Sequence, residues 1–328
     1  MAQDSKARAM NDSNDRADGT GIDVAESGFF TEASSVDAVT ARNRRAKSPR
    51  VRFAVEVLTR KFHEAVKEIE PTPAEWFEAI RFLTKTGHLS NEWRQEFILL
   101  SDVLGISMLV DAINNRKPSG ASESTVLGPF HVKDAPELPM GSDICLDGKG
   151  EPLLVQGRVL DTNGQPIAGA TMDVWQANED GFYDVQQRGV QPEFNLRGIF
   201  RTGADGRYWF RTVKPKFYPI PDDGTVGQLL DLLGRHPYRP AHLHYIVSAE
   251  GHAPLTTHIF DPHDPYIRSD AVFGVKESLL VDFKRIDDPA QMLAYGMAGA
   301  FWRVDYDVVM APANAAGSAR PPQQEKHT

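Results

Sequence analysis

Two histidines one residue apart, His242 and His244 in the run Arg-Pro-Ala-His-Leu-His, are the residues of this 328-residue chain whose spacing most directly invites chemistry. In an extended strand positions i and i+2 point to one face, so both imidazoles can reach a single cation. The pair alone also fits half-buried or surface histidines, and further donors are needed. Zinc would usually add a third His, a Glu or a Cys, yet the one cysteine is Cys145, far upstream, and no His-Glu-x-x-His is present. Upstream stand Tyr183 and Tyr218 instead. A phenol, with an ordinary pKa near about 10, binds a metal only as phenolate; that calls for a hard, strongly acidic cation, and Fe³⁺ suits it better than Zn²⁺ or Fe²⁺. Tyrosine on ferric iron has a precedent in haem enzymes.

Short strands must position these groups. In the stretch from Leu153 to Ala177, alternating segments flank Asp161-Thr-Asn-Gly164, a hairpin-type turn signal, and Gly169 allows a close approach. Residues 201–213 repeat the arrangement around Ala204-Asp205-Gly206, and residues 239–251 and 253–261 add further strands. The pattern is that of an antiparallel β-sandwich. Ahead of it, Val51, Val55, Leu58, Phe62, Val66 and Ile69 recur at helical spacing. Thr72-Pro-Ala-Glu75 reads as a capping box opening a second helix with Trp76, Ile80 and Leu83 on one face, which Gly87 ends. Ser90 is expected to cap a third helix carrying Trp93, Phe97, Leu100, Leu104 and Met108 towards Asn114. So many apolar faces on so few helices call for a partner surface. The expected organisation is mainly β: a largely disordered tail over 1–50, a small α-helical domain over 51–124, the sandwich catalytic domain over 125–312, and a second disordered tail over 313–328.

Composition bounds the function. A hydrophobic content of 41% supports a sizeable core, and a formal charge of −9 argues against general nucleic-acid binding. The basic cluster Arg42, Arg44, Arg45, Lys47, Arg50 and Arg52 reads as a solvated linker. Without an apolar run of about 18 residues or a hydrophobic signal core, membrane insertion and export are not expected. One cysteine builds no disulfide framework, so a reducing cytoplasm is the expected compartment.

Three segments, Trp-Gln-Ala-Asn-Glu-Asp-Gly-Phe-Tyr183, Phe217-Tyr-Pro-Ile-Pro-Asp-Asp-Gly-Thr-Val-Gly and Arg239-Pro-Ala-His-Leu-His, together resemble the signature of the intradiol ring-cleavage dioxygenases, non-haem ferric enzymes that open catechols between their hydroxyls. The match runs in order over roughly residues 50–310. The resemblance implies one Fe³⁺ per subunit, with Tyr218 and His242 as axial ligands, Tyr183 and His244 as equatorial ones, and a solvent hydroxide. It implies that Tyr218 leaves the metal when substrate arrives and doubles as a proton acceptor. It aims Arg239 at the substrate ring, where a fixed positive charge stabilises developing negative charge. At position 258 catechol-cleaving members usually carry Gln; His258 stands there, a departure that leaves its protonation and role open.

The resemblance also places Leu99 and Asp102 at the ring pocket, with Val126, Leu127, Gly128, Pro129, Phe130, Ile220, Pro221 and Val272 as its other walls. Most are apolar, as an aromatic ring requires. Asp102 is the exception, and a buried acceptor needs a donor, which a third ring hydroxyl would supply. Thr-Thr-His-Ile-Phe260 and the run from Ser269 to Leu279 also look more like the branch that cleaves hydroxyquinol (1,2,4-trihydroxybenzene). The expected partners are therefore this triol, or catechol and chlorocatechols as the alternative, and O₂, with a homodimer through the N-terminal helices and lipid at that interface. Two further readings remain: a non-catalytic sandwich module, which leaves the tyrosines and histidines unexplained, and a zinc hydrolase or cupin-like Fe²⁺ oxygenase using the His-x-His pair. Tyr208, Tyr238, Tyr245 and Tyr266, and His63, His88, His131, His236, His252 and His263, are read as ordinary structural side chains.

Overall fold

The computed structural model describes residues 29–92 and 94–313. The expectations for most of the N-terminal tail, for the C-terminal tail from residue 314 and for Trp93 fall outside these residues. Two compact units follow one another along the chain, dividing at Arg81–Phe82.

In the first unit, helix α1 (Ser35–Thr40) lies within the span expected to be largely disordered. Reciprocal bonds from Thr31 N to Ser34 Oγ and from Ser34 N to Thr31 Oγ1 set its start, and Ala38 is buried. Helix α2 (Pro49–Ile69) begins with Pro49 at its first position and Ser48 Oγ accepting from Val51 N. Helix α3 (Pro73–Leu89) opens on the expected capping box: Thr72 N donates to Glu75 Oε2 at 2.8 Å, and Glu75 N to Thr72 Oγ1 at 3.3 Å. The apolar stripe of α2 is exposed along its length, with Phe62 at 64% and Ile69 at 70%; on α3, Trp76 is at 57%.

In the second unit, two helix boundaries differ from expectation. Helix α3 continues past Gly87, because Ser90 sends its hydroxyl back to Thr86 O instead of capping a new helix. The expected third helix is two, α4 (Glu96–Val103) and α5 (Ile106–Asn114), broken where Gly105 takes a left-handed φ of 71°. Glu96 is buried, pairs with Arg94 Nε at 2.8 Å, and accepts from Val226 N at the start of α6 (Thr225–Leu232).

Among the described residues there are eleven strands: β1 (Pro152–Asp161), β2 (Thr171–Gln176), β3 (Arg197–Arg201), β4 (Arg207–Val213), β5 (Tyr218–Pro219), β6 (Tyr238–Arg239), β7 (His242–Ser248), β8 (Leu255–Phe260), β9 (Lys284–Ile286), β10 (Phe301–Asp305) and β11 (Val308–Met310). One sheet is antiparallel throughout, in the order β3-β2-β7-β8. The other centres on β1, with β4 antiparallel on one edge and β10, then β11, parallel on the other. The two anticipated turns form, with Gly164 N bonding Asp161 O and Gly206 N bonding Gly203 O; the first folds residues 165–167 back on the end of β1, but neither turn pairs β1 with β2 or β3 with β4. The chain instead crosses sheets from β1 to β2 and from β3 to β4. Turn chemistry fixes the reversal and not the pairing partner; crossing puts Val155 and Val159 of β1 against Met172 and Val174 of β2 in one core.

Period-two alternation divides the second sheet between that core and its outer face. Leu243, Tyr245 and Val247 of β7, with Leu255 and Ile259 of β8, point into the sandwich. His242 and His244, His258 and Trp175 therefore share the other face. Cys145 lies on the loop before β1, its Sγ bonded to Asp147 Oδ1 and Lys149 O. Burial, then Asp147, pushes its thiol up to about 11.

Candidate metal centre

On β7 the two imidazoles converge: His242 Nε2 and His244 Nε2 lie 3.1 Å apart, and both rings are buried. Pro240 O sits 2.6 Å from His242 Nδ1, which places the ring proton on Nδ1 and leaves a lone pair on Nε2. Trp175, across the ladder on β2, stacks on His244 with centroids 4.5 Å apart and planes 15° from parallel, and so fixes its orientation. The donor chain continues from His244 Nε2 to Tyr183 Oη at 2.8 Å and on to Tyr218 Oη at 3.3 Å.

The phenols arrive on irregular backbone. Tyr183 lies on the long excursion between β2 and β3, where Gln186 Oε1 accepts from its N–H and the buried Asp184–Arg197 pair anchors the next residue. Gly181, at φ 86°, lets that excursion come against residues 217–218; a Cβ there would stand 2.8 Å from Phe217 O. Tyr218 belongs to the two-residue β5–β6 ladder, in register with Arg239. Arg239 is buried, its Nη1 lies 3.5 Å from His242 Nε2, and its guanidinium pairs with Asp270.

Burial dominates the electrostatics. It pushes His242 down to about 3, reinforced by the Arg239 charge, and holds His244 and His258 well below the usual imidazole range. It pushes the Tyr183 phenol well up, as does neighbouring Tyr218. With protons alone, then, two lone-pair nitrogens and two phenols crowd one another in a buried site. Both ring nitrogens of His258 and Nδ1 of His244 are buried without a hydrogen-bond partner. Such a donor set fits a cation that takes imidazole and phenolate together. Two anionic phenolates suit ferric iron, and the group fits the residues present. His258, opposite His244 in the β7–β8 register with rings 4.1 Å apart, belongs to the three-histidine cluster but makes no hydrogen bond to the donor chain.

Of the expected pocket residues, Leu99, Ile220 and Val272 come together in one apolar cluster with Val103 and Val226. Phe130 stacks on Tyr183 at 4.6 Å, and a side chain at Gly128 would meet His244 Cε1 at 3.3 Å. Val126 is half-buried, whereas Leu127, Pro129 and Pro221 are exposed, at the outer end of the set. Asp102 sits within electrostatic range of Arg239 and Asp270, and burial raises its pKa. Sequence reasoning missed Trp175, Gln186 and Asp270. Trp175 was within reach, since it lies in the quoted Trp-Gln-Ala-Asn motif at the end of an alternating strand; Asp270, 31 positions from Arg239, gave no local signal. The side chains read as structural behave so: His131 pairs with Asp173, His236 with Ser269, and Tyr208 Oη donates to Tyr306 O.

The family model "Dioxygenase" matches residues 128–312, and "Catechol dioxygenase N terminus" matches residues 48–122. Hydroxyquinol 1,2-dioxygenase of Rhizobium sp. (strain MTP-10005) is 69% identical over 289 residues, covering 88% of this chain and 98% of that protein. The crystal structure of hydroxyquinol 1,2-dioxygenase from Pseudomonas putida DLL-E4 superposes with a TM-score of 0.82 at 45% identity, covering 86% of this chain and 98% of that one. Catechol 1,2-dioxygenase of Acinetobacter radioresistens superposes at 0.76 with 29% identity, over 90% and 98%. With the donor chain on the outer face of its second sheet, the chain belongs to the intradiol ring-cleavage dioxygenase family.

Proposed function

We propose that this protein cleaves hydroxyquinol with O₂ between its adjacent hydroxyls, giving 3-hydroxy-cis,cis-muconate, the enol form of maleylacetate. The observation that carries the reading is the continuous chain of two phenols and two imidazoles, beside which a desolvated carboxylate, Asp102, stands near Arg239. Tyr183, Tyr218, His242 and His244 would hold one Fe³⁺ per subunit. Held there, the ion would supply the Lewis acidity that makes an electron-rich diol reactive towards O₂.

The chain's own residues supply the rest. Tyr218 Oη, on its two-residue strand, is the group able to take a proton from an incoming hydroxyl. Buried Arg239 keeps its positive charge and stabilises negative charge that grows on the ring. His258, neutral and without partners, offers a donor and an acceptor on the same face. Leu99, Ile220 and Val272 exclude water from the ring, with Val126, Leu127, Gly128, Pro129, Phe130 and Pro221 completing the walls. Asp102, whose carboxylate also meets Ser107, would accept from the third hydroxyl, an interaction that catechol cannot make. The 69% identity to a hydroxyquinol 1,2-dioxygenase, against 37% to a catechol 1,2-dioxygenase, supports the triol.

Oxygen uptake tests this. Hydroxyquinol should exceed catechol and chlorocatechols in kcat/KM, and Asp102→Ala should lower the hydroxyquinol-to-catechol ratio by about 10-fold or more. Wild-type protein preferring catechol would make the catechol reading correct.

We propose further that residues 51–124 act as a dimerisation domain beside the catalytic domain of residues 125–312, in a cytoplasmic enzyme. No helix among the described residues is long and apolar enough to cross a membrane. The exposed stripe of Leu58, Phe62, Val66 and Ile69 supports burial against a second copy, with lipid filling the apolar space between. Sedimentation should show a dimer that Phe62→Glu dissociates; a wild-type monomer at micromolar concentration would end the idea.

A further inference from the structure

Arg239 reaches the centre from β6 along a flexible side chain, so something must hold its guanidinium there. Asp270 grips it from one side: Oδ1 accepts from Nε at 3.2 Å and Oδ2 from Nη2 at 3.4 Å. The same carboxylate is fixed in turn by its own loop, accepting from Val272 N at 3.3 Å and Gly274 N at 2.8 Å. Gly274 packs against the same contact, since a Cβ there would stand 2.7 Å from Arg239 Nη2 and 3.1 Å from Asp270 Oδ2. Gly274 is not among the glycines with positive φ, so its smallness serves the close approach and not the backbone conformation. Two of the three guanidinium nitrogens are thus committed to Asp270, while Nη1 faces His242 Nε2. Asp270 is itself buried, and a paired carboxylate in that position leaves Arg239 no charge-driven reason to swing elsewhere.

We infer that Asp270, seated by the 270–274 loop with Gly274 as its counterpart, is a positioning residue that holds the Arg239 guanidinium with Nη1 directed at the reacting ring. The same side chain accepts from Val272 N, so it sets the charge and one wall of the ring pocket together. The inference rests on the reading of Arg239 as the charge that faces substrate. Asp270 touches no donor of the metal chain, and its removal leaves the ferric centre loaded.

The test uses iron-loaded full-length protein and reads kcat, KM, the visible phenolate-to-iron band and the melting temperature. Asp270→Asn should lower kcat by roughly 10- to 100-fold with the band retained, as loss of one preorganised charge contact does. Arg239→Met should lower it at least as far, and the Asp270→Asn/Arg239→Met double variant should fall no further than Arg239→Met alone. Gly274→Ala crowds the pair instead of deleting one partner: it should keep the band, lower the melting temperature only modestly and still lose kcat, which preserves the test if Asp270→Asn folds poorly. Multiplying losses in the double variant would overturn the inference in favour of a structural Asp270. So would unchanged kcat in Asp270→Asn or in Gly274→Ala while Arg239→Met is impaired. An Arg239→Met enzyme with full kcat would sink the reading of Arg239 as well, and that single variant separates the two failures.

Discussion

The imidazoles and the phenols of the donor chain are held in opposite ways. His242 and His244 stand on β7, which is hydrogen-bonded on both sides, to β2 and to β8, and whose alternate residues are locked into the sandwich core. Tyr183 caps a short 3-10 turn on a long excursion, and Tyr218 sits on a strand of two residues. One half of the set inherits the rigidity of a sheet; the other depends on a handful of side-chain bonds and one close approach at Gly181. The contrast teaches where movement belongs: a ligand that must leave and return as a proton acceptor is better placed on Tyr218 than on either histidine.

Two experiments press on that contrast. Removing a fixed donor should have the larger effect. His244→Ala should lose the visible band and activity below detection, whereas Tyr218→Phe should retain measurable iron while losing kcat. Equal iron loss in Tyr218→Phe and His244→Ala would erase the distinction. Gly181→Ala is the gentler probe. A side chain at φ 86°, aimed at Phe217 O, should destabilise the protein by about 2 kcal/mol and loosen the Tyr183–Tyr218 approach without touching β7. A melting temperature and band identical to wild type would mean the two loops are held by something else.

The same division governs how much the sequence disclosed. The strands, the sandwich, the capping box at Thr72 and the residues of the Tyr–His chain were legible, because each rests on local periodicity or on a motif spanning a few residues. The sheet partners of β1 and β2 were not, since a turn at Asp161–Gly164 looks the same whether the chain pairs with itself or crosses to another layer. The break at Gly105 was overlooked because Leu104 and Met108 keep helical spacing across it. Asp270 escaped for a different reason: its meaning lies in what it touches across 31 positions, and no period or motif encodes that. His258 was flagged only as a departure from the Gln usual in catechol-cleaving members, and the β7–β8 register sets it directly across from His244.

Cys145 bears on durability. Polyphenols such as the proposed substrate oxidise readily to quinones, which add to thiolates, and a protein that handles them with O₂ exposes its own sulfur to that reaction. A thiol held near about 11 by burial and by Asp147 is almost wholly protonated at neutral pH. The molecule's single sulfur nucleophile is thereby kept quiescent towards the oxidised forms of the ring it is built to open.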